Sequence, residues 1–124
     1  MLAVLLGSTF VIAATPESNT NSVVNWAKAE MNYKAGLKSN NNGVKVSSAI
    51  HIRKYNLTGA VEELKTLLAI ENAENVKIAG ALALVSIGGD EGRTSVLNAL
   101  KTEENEIVAE FYKTILSNQI IAQQ

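Results

Sequence analysis

The sequence predicts an all-α fold of stacked helical hairpins, and three observations carry that prediction. Residues 44–68 and 76–100 are two versions of one 25-residue pattern, VKVSSAIHIRKYNLTGAVEELKTLL and VKIAGALALVSIGGDEGRTSVLNAL. Val44-Lys45 lie over Val76-Lys77, Ala49 over Ala81 and Leu68 over Leu100, with a one-residue shift in the turn bringing Gly59 over Gly92. The register also reaches beyond the pair: Leu37, Leu68 and Leu100 recur at intervals of 31 and 32, as do Val44, Val76 and Ile107 at 32 and 31. Finally, one proline, eight glycines and 5% aromatic residues suit helices broken at turns and packed through small aliphatic side chains. A period near 32 residues, with two apolar helical runs around a glycine-containing turn, is the pattern of a stacked helical-hairpin solenoid. About two and a half repeats fit in the chain.

The elements follow in order. Residues 22–38 have good helix formers and no proline; Ser22 is the expected cap, and Val24, Ala27, Met31 and Ala35, with Trp26 and Tyr33 a turn away, form a broad apolar face. The run Ser39-Asn40-Asn41-Asn42-Gly43 stops that helix. Residues 44–55 form the next, with Val44, Ser48, Ile52 and Tyr55 on one side. Asn56-Leu57-Thr58 makes the turn, and Thr58 caps a helix over 59–68 whose stripe is Val61, Leu64, Leu67 and Leu68. Residues 76–87 place Val76, Gly80, Ala83, Leu84 and Ile87 inward. Gly88-Gly89 turns the chain, Asp90 caps 91–100, and a last helix covers about 104–121. By this register the first helix is a second-type helix without its partner and the last a first-type helix without its partner. Ile115, Leu116, Ile120 and Ile121 make a poor polar cap for such an end.

The chain divides into an apolar, signal-peptide-like segment (1–14), a polar linker (15–21) and the repeat domain (22–122). The first segment carries no charge and is shorter than the roughly 20 residues a membrane-spanning helix needs. Its Val11-Ile12-Ala13-Ala14 resembles a cleavage region, although no Lys or Arg precedes the apolar core. Export to the periplasm or the extracellular space is the expectation, with no membrane span once 1–14 are cleaved. The absence of cysteine excludes disulfides and thiolate metal sites, and a net charge of −1 offers nothing to nucleic acid. Charge is nevertheless uneven: residues 17–70 balance at +3 and residues 71–124 at −4, which favours head-to-tail contact between copies and a possible homo-oligomer.

With these residues in view the chain resembles HEAT-like repeats of the short bacterial type, including small exported proteins of that kind. The likeness is carried by Val76-Lys77, Ala79-Gly80-Ala81, Ala83-Leu84, Ile87-Gly88, Asn98-Ala99-Leu100-Lys101 and Glu103-Glu104-Asn105-Glu106-Ile107. Residues 44–68 follow the pattern less closely, with Asn56-Leu57 in place of Gly-Asp and Ser47-Ser48 in place of alanines. The resemblance implies a protein-binding or assembly role, with second-type helices lining a concave face. It implies no chemistry, because repeats of this kind supply a surface.

Candidate chemical sites resolve into structural readings, and no catalytic, cofactor or metal residue is assigned. Gly88-Gly89-Asp90-Glu91-Gly92 is similar to the GGDEF signature of diguanylate cyclases, but Gly92 replaces the required aromatic and helices flank the segment. His51, the only histidine, has Ser47 one turn away and no acid to orient it. Glu71 with Glu74, and Glu103 with Glu104 and Glu106, lack the ligand density of a calcium loop and suit positive helix N-termini. Asn56-Leu57-Thr58 reads as turn chemistry. The repeat register instead points to rows on successive second-type helices: Lys34, Lys65 and Leu97; Met31, Glu62 and Thr94; Ala35, Thr66 and Asn98. Lys34, Glu62, Lys65 and Asn98 are the candidate partner-binding residues. The expected function is a non-enzymatic protein–protein interaction module, the alternatives being a self-assembling structural subunit and a ligand-binding or enzymatic domain.

Overall fold

Six α-helices make up the computed structural model, which describes residues 23–122 with side chains to residue 118. They are α1 (Trp26–Gly36), α2 (Asn42–Lys54), α3 (Val61–Ile70), α4 (Glu74–Ile87), α5 (Gly89–Thr102) and α6 (Glu106–Ala122), with a 3₁₀ turn at Thr58–Ala60 leading into α3. The apolar segment, the linker, the Ser22 cap and the side chains of Ile120 and Ile121 lie outside the described residues. No strand occurs among the described residues, so the fold is all-α.

Asparagine, rather than serine or aspartate, starts most of the capped helices. Asn25, Asn41 and Asn105 each accept a bond through Oδ1 from the backbone N–H three residues on, at 3.0, 3.1 and 3.1 Å. Each satisfies a donor the helix cannot. Asp90 is not a cap: α5 begins at Gly89, and Asp90 lies inside the first turn, where its charge meets the helix dipole. Thr58 likewise belongs to the 3₁₀ turn and does not cap α3.

Helix α4 is the centre, packing on α2, α3, α5 and α6; α3 also touches α5, and α1 touches α2 and the 3₁₀ turn. Its apolar faces therefore run almost all round, with Val76, Gly80, Ala81, Ala83, Leu84 and Val85 buried. Helices α2, α3, α5 and α6 bury one stripe each, led by Ile52, Leu64, Val96, Val108 and Tyr112, all at 1% exposure or less.

Burial recurs every 32 residues. Ile52, Leu84 and Leu116 are equivalent core positions, as are Ser48, Gly80 and Tyr112, and Leu64 and Val96. On α6 the position matching Val76 is Val108, which is fully buried, and not Ile107, which is 63% exposed. Ile115 and Leu116 also point inward, so the exposed residues of α6 through Asn118 are polar except for Ile107. Val44 is 43% exposed because, among the described residues, α2 has no first-type helix before it to play the part that α2 plays for α4. The expected apolar face of α1 is also reversed. Val24, Ala27, Met31 and Ala35 face solvent, and α1 rests on its neighbours through Tyr33 and, just past its end, Leu37.

The turns explain the one-residue shift. Left-handed backbone occurs at Asn56 (φ 53°) in one hairpin and Gly89 (φ 57°) in the other, 33 residues apart. Downstream, buried Ala60 matches buried Gly92 at 32, which corrects the alignment of Gly59 with Gly92. Helix α4 runs one residue further than α2 in this register, and Gly88 alone separates it from α5, whereas Tyr55, Asn56 and Leu57 separate α2 from the 3₁₀ turn. That tight turn presses two backbones together: a Cβ on Gly92 would lie 2.1 Å from the Leu84 carbonyl oxygen.

Candidate interaction surface

Two layers of charge are built on this frame. One is internal and periodic. Glu71 and Glu103, 32 residues apart, each end a second-type helix in extended backbone. Each carboxylate then accepts from the amide two residues on, Glu71 from Ala73 at 2.9 Å and Glu103 from Asn105 at 3.2 Å. Each also receives a lysine from the preceding first-type helix, Lys45 Nζ at 2.7 Å and Lys77 Nζ at 2.9 Å. Ser39 holds the same place at the first loop, its Oγ accepting from the Asn41 amide at 3.0 Å. One carboxylate thus joins the end of one helix, the start of the next and the first-type helix before them. Burial opposes ionisation of Glu71 and Glu103, but the lysine and amide donors outweigh it and hold both carboxyls below their ordinary value. Burial, with the Glu103 charge adding, pushes the Tyr112 phenol well above its usual range.

The second layer lies on α1, α3 and α5 and contains the residues picked out by register. Lys34 Nζ reaches Glu63 Oε2 at 3.5 Å, and Lys65 Nζ reaches Glu62 at 3.2 Å and Glu91 at 2.6 Å. The bonds to Glu91 and Glu62 raise the Lys65 pKa, and Lys65 in turn lowers that of Glu91. Lys34 is thus paired across α1 and α3, and Glu62 and Lys65 belong to a separate ion-pair group joining α3 to α5, while Asn98 is exposed on α5. Met31 (67% exposed) and Leu97 (45%) stand apolar in the same rows, beside exposed Ala35, Thr66 and Thr94.

A groove of about 440 Å³ opens between the α1–α2 loop and α3, lined by Leu37, Lys38, Glu62, Glu63, Leu67 and Ile70 among others. Its repeat equivalent, about 310 Å³, lies between the α3–α4 loop and α5, with Lys77 and Glu103 in place of Lys45 and Glu71, and Ala99 and Thr102 in place of Leu67 and Ile70. The first groove is thus the more apolar copy. Register reasoning found Glu62 on its rim but missed the groove itself. The signal was available in Lys45/Lys77 and Glu71/Glu103, two opposite charges recurring with one period.

The remaining candidates take structural places. His51 Nδ1 meets the Ser47 carbonyl at 2.7 Å, and the imidazole stacks on Tyr33 at 5.1 Å. Trp26 packs on Tyr55 with ring centroids 5.0 Å apart. Glu71 and Glu103 face lysines, and among the described residues no group of three His, Cys, Asp or Glu converges as a metal site would. Among the described residues, no helix is long and apolar enough to cross a membrane. Comparison with protein-family models, with curated proteins and with solved structures gives no match to this chain.

Proposed function

We propose that the chain is a HEAT-like, right-handed solenoid of about two and a half repeats, acting as an exported, non-enzymatic module for protein–protein contact. The 32-residue recurrence of core positions and of the Lys–Glu–amide staple supports the repeat reading. The observation that carries the functional reading is the outward face of α1, α3 and α5, where Met31, Thr66, Leu97 and Asn98 are exposed at register positions beside ion pairs that link α1 to α3 and α3 to α5. Ordered charges around isolated apolar side chains make a surface that selects a partner by complementarity.

Photo-crosslinking residues placed at Thr66 and Asn98, with Ile50 on α2 as the control, test this in the native source. A defined protein adduct from the first two positions and none from Ile50 is the expected result. Adducts from Ile50 alone would place the contact surface elsewhere. Head-to-tail self-assembly is a second reading, favoured by one observation: residues 23–57 balance at +5 and residues 88–118 at −3. A monomer at all concentrations in sedimentation equilibrium removes it.

A further inference from the structure

We propose that the α1–α2 end of the molecule docks on an anionic lipid surface through Val23, Val24, Trp26 and Tyr55, with Lys28 and Lys54 meeting the headgroups. The other exposed large apolar residues, Met31, Val44, Ile50, Ile70, Leu97 and Ile107, are spread along α1, α2, α3, α5 and α6, but these four come from two stretches of chain joined by a ring contact. Val23 is 91% exposed, Val24 53%, Trp26 47% and Tyr55 38%, and the Trp26 and Tyr55 rings are in contact. Tryptophan and tyrosine pair an apolar body with a polar edge, the combination that favours the boundary between headgroups and acyl chains.

The charge around them has the sign an anionic surface needs. Lys54 Nζ sits 5.4 Å from the Tyr55 ring centre, and Lys28 follows Trp26 by two residues. Residues 23–57 contain six Lys and Arg against Glu30 alone. Two of the six, Lys34 and Lys45, are paired with Glu63 and Glu71, and Arg53 Nε donates to Ser86 Oγ. The patch also lies where the chain leaves an uncharged apolar sequence, residues 2–14, across eight residues that reach about 27 Å when extended. A membrane holding that stretch would be within reach of the patch, and the patch itself belongs to the folded unit and does not require it.

Trp26 is the only tryptophan, so its fluorescence reports on the patch directly. The full chain is titrated with vesicles of phosphatidylcholine and phosphatidylglycerol at 3:1, with vesicles of phosphatidylcholine alone, and with vesicles carrying brominated acyl chains. The expected result is a blue shift with the anionic vesicles, quenching by brominated lipid, and loss of both at high salt. Lys28→Glu/Lys54→Glu should weaken the titration at least about tenfold, at roughly 1 kcal/mol per basic residue near the surface. Tyr55→Ala should weaken it while leaving the far-ultraviolet circular dichroism unchanged. Unchanged, unquenched Trp26 emission on vesicles that bind the protein overturns the proposal. A blue shift that follows protein concentration without lipid also overturns it, in favour of a second copy.

Discussion

Replacing Gly92 with alanine tests the packing account at its tightest point. The added Cβ would lie 2.1 Å from the Leu84 carbonyl oxygen and 2.9 Å from the Leu84 carbonyl carbon, where ordinary contact begins at 3.4 Å. Both atoms are backbone of α4, so no rotamer change relieves the clash; α5 and α4 must move apart by about 1 Å, loosening a junction where Leu84 and Val96 are fully buried. Overpacking of a rigid core costs about 1–3 kcal/mol, and a backbone clash belongs at the upper end. For a domain of this size that lowers Tm by roughly 10–20 °C. The first hairpin supplies the comparison, since Ala60 occupies the equivalent place and is itself fully buried, there within the 3₁₀ turn. Gly89→Ala meets no atom within 4 Å and bears only the strain of φ 57°, about 1 kcal/mol. Thermal and urea unfolding followed by circular dichroism gives both values. A Gly92→Ala protein within 0.5 kcal/mol of the parent (on the order of the usual effect of a surface change) would refute the close approach of α4 and α5.

Two further outcomes follow from the charges. Glu63 Oε1 is buried without a hydrogen-bond partner while Oε2 meets Lys34 only at 3.5 Å, so Glu63→Met should leave stability unchanged or raise it by about 1 kcal/mol, measured by urea unfolding. The Glu71 and Glu103 carboxyls have folded pKa values below the ordinary 4.5, so the unfolded chain binds more protons there and their stabilisation is complete above that value. It is lost as pH falls through the folded values, so Tm should drop in acid, and Glu71→Gln/Glu103→Gln should flatten that drop.

The parts of the fold legible in the sequence are those set by long-range repetition. Val44-Lys45 and Val76-Lys77 open equivalent helices, and Leu64, Leu67, Leu68, Val76, Gly80, Ala83 and Leu84 are buried as their spacing requires. What escaped reading depends on which neighbour is present. On α1, alanines on several sides leave the apolar stripe too wide to orient, and packing mainly on α2 and the 3₁₀ turn puts Met31 outside. Ile107 and Val108 are adjacent and equally apolar, so only packing on α4 chooses Val108. Asp90 had cap chemistry, but Gly89 could take positive φ and start the helix a residue earlier. In the candidate surface, register placed Lys34, Glu62, Lys65 and Asn98 in rows on successive helices. It could not reveal that Lys34 pairs with Glu63 and Lys65 with Glu91, because those contacts cross between helices.

A pair of double-mutant cycles, Lys45→Met with Glu71→Gln and Lys77→Met with Glu103→Gln, asks whether the two hairpins are one unit used twice. Both pairs bury their acid to 8% exposure or less and their lysine to 18% or less, in the same geometry. The coupling energies should agree within about 0.5 kcal/mol, each on the order of 1–2 kcal/mol, and both should vanish in acid. Strong coupling in one pair and none in the other would contradict the equivalence on which the repeat rests.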